Sequence, residues 1–136
     1  MAKRAALAVL ATMMVAACSG PKPASDAGGD KFAGLDTEIR AWRETLIKDR
    51  PDCAGAAADK ACRSFDVACK AEREITADET AKGVTAKVAA AMTFESWSDG
   101  TSEYRPNSAF AEFVHGKSGW SRHEIGPLNL SSCAPV

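Results

Sequence analysis

The stretch VTAKVAAAMTFESW, residues 84–97, decides the fold because its apolar side chains recur at every second position. A period of two is that of a β-strand, whose successive side chains point to opposite faces of a sheet. One face of this predicted strand is apolar throughout and carries Val84, Ala86, Val88, Ala90, Met92 and Phe94. The opposite face mixes polar and small side chains, so we expect one buried side. The alanines of residues 89–91 are also compatible with a helix.

Two further strands are predicted beyond the turn at residues 98–100. Residues 108–115 and 120–125 flank the loop GKSG, residues 116–119, and this arrangement is typical of a β-hairpin with a glycine-containing loop. The three predicted strands would form an antiparallel meander. The segment after the last strand, residues 127–136, is expected to be extended and held in place by Cys133.

Helices are predicted before the sheet. Apolar residues at steps of three and four indicate an amphipathic helix formed by Phe32, Leu35, Ile39, Trp42 and Leu46. Pro51 would end it, because the residue before a proline resists helical geometry. Residues 59–74 are predicted as a second helix, with Cys62, Phe65 and Cys69 on one face.

A third, short helical turn is predicted at residues 77–82. Thr76 and Glu79 have the spacing of a capping box, and Gly83 follows as a stop signal. The sequence therefore predicts an α+β fold, in which two to three N-terminal helices pack on a three-stranded antiparallel β-meander linked by disulfides.

The cysteines predict those disulfides. Four of the five lie in the predicted domain and form an even set: Cys53, Cys62, Cys69 and Cys133. In an oxidising compartment such a set is typical of two bridges. We favour Cys53–Cys62 with Cys69–Cys133, and Cys53–Cys69 with Cys62–Cys133 remains the alternative. No metal site is predicted, because the sequence has no Cys-x-x-Cys motif and neither histidine lies near the cysteines.

The N-terminus has the organisation of a signal peptide. Lys3 and Arg4 precede an apolar run, residues 5–17, whose helix of about 20 Å is too short for a hydrocarbon core of about 30 Å. Val15-Ala16-Ala17-Cys18 resembles the lipobox of bacterial lipoproteins. The resemblance implies cleavage after Ala17 and lipid on the Cys18 thiol, and Ser19 implies sorting to the periplasmic face of the outer membrane rather than to the inner membrane.

The resulting domain division is a lipoprotein signal peptide (1–17), a lipidated cysteine with a flexible tether (18–31) and one small α+β domain (32–136). The tether is rich in Gly, Pro, Ser and Ala and would reach about 20 Å. The chain has 17 basic and 18 acidic side chains, a formal net charge of −1. Such a balance argues against nucleic acid as a partner. The expected partners are the membrane, through the Cys18 lipid, and another envelope protein.

Catalytic chemistry has no motif in this sequence, and we predict neither an enzyme nor a cofactor. The hairpin pairing would place His115 opposite Trp120 and His123 opposite Glu112, so the two histidines lie on opposite faces of the sheet. Trp97 and Trp120 lie near strand ends, where an aromatic side chain can recognise a partner.

The element order of residues 32–126 resembles cystatin-like and nuclear-transport-factor-2-like folds, and the whole chain is similar to small lipoproteins of Gram-negative bacteria. Two functions follow as expectations. The first is a membrane-anchored, non-enzymatic interaction or structural role in the cell envelope. The alternative is a small-ligand-binding module with a cup of the kind that the resemblance implies.

Overall fold

The computed structural model describes residues 30–136, which fold into one long helix, one short helix and four antiparallel strands. In chain order the elements are α1 (Leu35–Asp49), a 3-10 turn (Ala58–Lys60), β1 (Arg63–Glu72), α2 (Ala77–Ala81), β2 (Ala86–Ser98), β3 (Glu103–Gly116) and β4 (Gly119–Glu124). The predicted signal peptide, Cys18 and most of the predicted tether lie outside the described residues.

The four strands form a simple meander in the order β1-β2-β3-β4. The predicted strand at residues 84–97 is confirmed as β2, and it pairs with β3 along its whole length, from Ala86↔His115 to Ser98↔Glu103. The predicted hairpin is also confirmed, because His115 lies opposite Trp120 in the pairing of β3 with β4. Each strand is therefore hydrogen-bonded to its neighbour in sequence.

The prediction of two to three helices on three strands is wrong. The segment predicted as a second helix, residues 59–74, contains β1 instead. Its apolar residues satisfy both periods: Phe65, Val67, Cys69 and Ala71 alternate, and they are less exposed than the residues between them. Pairing with β2 selects the strand, because tertiary contacts override a weak local preference.

Helix α1 covers one face of the sheet, as its apolar spacing predicted. It starts after Gly34, whose φ of 85° gives the left-handed turn into the helix, and it ends at Asp49, just before Arg50-Pro51. Its buried side chains are Leu35, Ile39, Trp42 and Leu46.

Trp42 is the centre of the core beneath α1. Its side chain is fully buried and meets Phe113 edge-on, with 5.7 Å between the ring centroids. The sheet residues Ala90 and Ala111 belong to the same buried cluster, and their small side chains leave room for the indole. The space between α1 and the central strands β2 and β3 is thus filled by side chains.

The opposite face of the sheet, here called the outer face, is partly covered by the C-terminal segment (residues 125–136). Leu128 and Cys133 pack on Ala89 and Ala91, so that β2 is buried on both faces over this stretch. The expectation of only one buried side is wrong here, because the alanines form the floor of this second cluster.

Both disulfides have the pairing that we favoured from the sequence. Cys69 bonds Cys133 and attaches the C-terminal segment to β1, while Cys53 bonds Cys62 and closes the loop between α1 and β1. The predicted short helical turn is confirmed as α2, and both hydrogen bonds of its capping box between Thr76 and Glu79 are present.

Candidate functional site

An aromatic pair lies at the end of the β2–β3 hairpin. Trp97 and Tyr104 are directly opposite each other in the strand register, and their rings meet edge-on with 5.3 Å between centroids. Phe94 points into the core under α1. Trp97 follows it by three positions and therefore points to the outer face, as its cross-strand partner does. Both side chains are partly exposed.

Two cations lie against these rings. The guanidinium carbon of Arg63 is 3.6 Å from the Tyr104 ring centroid, and the Lys60 ammonium is 5.5 Å from the Trp97 centroid. Cation–π contacts at exposed sites each contribute about 0.5–1 kcal/mol. We call the surface formed by Lys60, Arg63, Trp97 and Tyr104 the aromatic platform.

Hydrogen bonds fix the polar ends of both rings. The Tyr104 hydroxyl lies 3.2 Å from the Asp59 carbonyl oxygen and 3.1 Å from that of Ala61, so it donates to the loop that the Cys53–Cys62 bridge closes. The indole Nε1 of Trp97 donates to Asp99 at 3.0 Å. The platform is therefore a preorganised surface, in which little side-chain freedom remains to be lost on binding.

A polar cluster lies on the helix side of the same hairpin end. Arg50 donates to Asp52 at 2.9 Å, and Asn107 donates to Asp52 at 2.6 Å and to the buried Ser96 hydroxyl at 3.2 Å. Burial raises the pKa of Asp52, but the hydrogen bond and charge of Arg50, together with hydrogen bonds from the backbone and Ser96, lower that pKa below its ordinary value. The cluster thus keeps a carboxylate ionised where α1 meets the sheet.

The same cluster closes an open strand edge. Strand β3 extends beyond the end of β4. The Ile125 N–H donates to the Phe110 carbonyl, so the backbone groups of Phe110 point towards the β4 side. Because this direction alternates along a strand, the backbone groups of residues 108, 106 and 104 point to the same side, where β4 no longer covers them. Pro106 has no N–H to offer there. The Ser108 N–H donates to the Asn107 side chain at 3.1 Å, and its carbonyl accepts from Arg50 at 3.3 Å. This edge is blocked against strand addition, and side chains are left to recognise a partner.

Trp120, the other predicted recognition aromatic, lies far from Trp97 and under the start of α1. Its Nε1 donates to the Ala33 carbonyl at 2.8 Å, its ring packs against the core, and it contacts the His115 ring. A Cβ added at Gly34 would lie 3.5 Å from this indole. Trp120 therefore anchors the helix start, and the structure does not bring the two tryptophans together.

The histidines occupy the positions that the register predicted. His123 is exposed and lies across from Glu112, while His115 Nδ1 lies 2.9 Å from the Thr85 hydroxyl. Within residues 30–136, no three side chains of His, Cys, Asp or Glu are grouped as a metal site requires.

A second charged contact holds α2 against the outer face of β2. Lys87 lies 2.7 Å from Glu79 and 4.0 Å from Glu112. The hydrogen bond from Lys87 and that from the Thr76 backbone lower the pKa of Glu79 to about 2, and the bond to Glu79 raises the pKa of Lys87. Because the bonded side chains of Lys87 and Glu79 are largely covered, we assign this cluster a structural role.

We compared the chain with protein-family models, curated proteins and solved structures, and none of the three comparisons found a match. The resemblance to cystatin-like and nuclear-transport-factor-2-like folds therefore stays a prediction from element order. None of the helices within residues 30–136 is long and apolar enough to cross a membrane.

Sequence reasoning missed three members of the platform. Lys60 and Arg63 lie within the predicted helix at residues 59–74, and Tyr104 precedes the predicted strand, which starts only at residue 108. The available signal was the run EYRPN, residues 103–107, in which Tyr104 alternates with polar residues and continues the pattern of β3. Pro106 hid this signal, since proline usually argues against a strand.

Proposed function

We propose that this chain is a lipid-anchored envelope protein whose domain, residues 32–136, binds another envelope protein through the aromatic platform, without catalysis. The lipobox-like motif ending at Cys18 supports the anchor and the periplasmic face of the outer membrane. Two or three acyl chains on that residue would hold the protein stably at the membrane.

The observation that carries the proposal is the position of the platform relative to the anchored end. Asp36 is ion-paired with Lys70 at 3.4 Å, and Ala33 is bonded to Trp120, so the chain enters the domain where β2 begins. The platform lies where β2 ends. At about 3.3 Å per residue, the two ends of this 13-residue strand are roughly 40 Å apart. A tether at one end therefore favours presentation of the platform away from the membrane.

Packing favours a protein partner over the alternative of a ligand-binding cup. A cup of the kind that the resemblance implies would hold its ligand between the helix and the middle of the sheet. Over β2 and β3 that space is filled by Trp42 and Phe113, neither of which has exposed surface. The platform instead offers a rigid Trp–Tyr pair with flanking cations. Trp, Tyr and Arg are the residues that most often dominate binding energy in protein interfaces.

The anchor is tested by the intact mass of the natively expressed protein. We expect the loss of residues 1–17 and an added acyl mass, with four alkylatable thiols appearing only after reduction. Cys18→Ser should abolish the acyl mass. Normal acylation of that variant, or a wild-type mass without lipid, would refute the lipid anchor at Cys18.

The platform is tested by crosslinking at the envelope with Trp97→Ala and Tyr104→Ala. If these rings are interface hot spots, the yield of the crosslinked partner should fall about tenfold or more. Leu130→Ala is the matched control, because Leu130 is 40% exposed and lies in the C-terminal segment, outside the platform. Equal yields from folded Trp97→Ala, Tyr104→Ala and wild-type protein would refute the role of the platform.

A further inference from the structure

A groove opens between α1 and β1, on the face of the sheet opposite the aromatic platform. Its volume is about 200 Å³, and its lining consists of Ile39, Arg40, Arg43, Phe65, Asp66, Val67 and Met92. The floor is apolar and the rim is charged. The groove shares no residue with the aromatic platform.

The floor is accessible because β1 is an edge strand. Phe65 and Val67 pack against the core under α1 but stay partly exposed, whereas Met92 on the neighbouring strand is only 2% exposed. Two register irregularities in the β1–β2 pairing bracket Asp66 and Val67. Bulges of this kind bend a strand and re-aim its side chains, and they are frequent beside functional sites.

The rim carries two arginines whose charges are not matched inside the domain. Arg40 and Arg43 are one helical turn apart on α1 and both are exposed. Within residues 30–136, neither lies within 4.0 Å of a carboxylate oxygen. Arg40 donates to the Thr37 hydroxyl at 3.3 Å, and Asp66 is the one acidic residue in the lining.

Arg43 is also held in position over the floor. Its guanidinium carbon lies 5.6 Å from the centroid of the Phe65 ring, which stacks in turn on Phe94 with 5.0 Å between centroids. A guanidinium resting on an aromatic ring keeps its planar set of donors free for a carboxylate. The groove therefore combines an apolar floor with a guanidinium that is already positioned to bind a negatively charged group.

We infer that this groove binds a short acidic and apolar segment of a protein partner, with one apolar side chain on the Phe65–Val67 floor and a neighbouring carboxylate on Arg40 and Arg43. The size favours a side chain, because sites for small molecules usually have volumes of about 300–1,000 Å³. The positive charges of Arg40 and Arg43 favour an acidic residue next to that apolar side chain. Bidentate arginine–carboxylate pairs are the strongest of the ordinary hydrogen-bonded contacts.

The test is fluorescence anisotropy with the full chain in lipid nanodiscs and a fluorescein-labelled peptide of sequence Gly-Gly-Glu-Leu-Glu-Gly. Arg40→Gln combined with Arg43→Gln should weaken binding about tenfold or more. Lys48→Gln combined with Lys82→Gln removes the same two positive charges from exposed positions outside the groove, and it should leave the affinity unchanged. Peptides with Gln for both Glu, or Ser for Leu, should bind at least about tenfold more weakly.

Several outcomes would overturn the inference. Equal binding of the Gln peptide would remove the role of the arginines. Weakening by Trp97→Ala, with no effect of the arginine changes, would move the site to the platform. Arginine-dependent binding of octanoate without any binding of the peptide would replace the protein partner by a small amphiphile. The proposed function of the platform is tested separately, so either proposal can fail alone.

Discussion

Removing the Cys69–Cys133 bridge should destabilise the protein more than removing the Cys53–Cys62 bridge. The two bonds join residues separated by 64 and 9 positions, respectively. In the chain-entropy treatment, loops of these lengths contribute about 4.3 and about 2.6 kcal/mol by restricting the unfolded chain. The double variant Cys69→Ala/Cys133→Ala should therefore lose about 1.7 kcal/mol more than Cys53→Ala/Cys62→Ala.

The longer loop also has a structural consequence that the shorter one lacks. Cys133 is fully buried on Ala89 and Ala91, so its release uncovers part of the outer face of β2. Domains of this size have total stabilities of about 5–15 kcal/mol, and a loss of about 4 kcal/mol is a large share of that.

Urea unfolding, followed by circular dichroism on both double variants and the wild type, gives the three free energies of unfolding. An equal or larger loss for the Cys53→Ala/Cys62→Ala variant would refute the loop-length reasoning. It would mean that packing and backbone hydrogen bonds, rather than the bridge, hold the C-terminal segment on the sheet.

Three further predictions concern single residues. Trp42→Ala should cost about 3–5 kcal/mol in urea unfolding, and Trp42→Phe less than half as much, because the indole N–H that it removes has no hydrogen-bond partner within residues 30–136. Glu79 has a pKa lowered from 4.5 to about 2, so its stabilising contribution is present above pH 4.5 and is lost as the pH falls towards 2. Melting temperatures measured across that range should therefore fall less for Glu79→Gln than for wild type, whereas Glu44→Gln should follow the wild type. Pro106→Val restores an N–H at the open edge of β3 and should increase the aggregated fraction in size-exclusion chromatography, and Pro127→Val should not; equal aggregation of the two would contradict the edge argument.

Much of the fold was predictable because two segments have an unambiguous period. The spacing that buries Ile39 and Trp42 fits only a helix, and the alternation of residues 84–97 is long enough to specify a strand. The capping box of α2 is a local signal that needs no tertiary contact, since Thr76 and Glu79 satisfy each other's backbone groups.

The remaining elements depend on contacts that the sequence does not display. In the sequence around β1, Cys62, Phe65 and Cys69 have a helical spacing that competes with the alternation. The register shift between Val67 and Cys69 then turns Cys69 to the outer face, away from Phe65 and Val67. The platform joins Lys60 and Arg63 to Trp97 and Tyr104 across a loop that only the disulfide closes. Cation–π contacts between residues this far apart in the sequence depend on the sheet register, which a single sequence does not specify.

The Cys69–Cys133 bridge also constrains the order in which the two disulfides can form. A chain that becomes available from its N-terminus onwards presents Cys53, Cys62 and Cys69 before Cys133, and three thiols cannot all be paired. Cys62 and Cys69 are only 7 positions apart, but once β1 forms the extended strand keeps them too far apart to bond. Closure of the Cys53–Cys62 loop, 9 positions, costs less entropy than closure of the Cys53–Cys69 loop, 16 positions. The early Cys53–Cys62 bond leaves Cys69 waiting for Cys133, so the sequence in which the thiols appear itself favours the native pairing over the exchanged one.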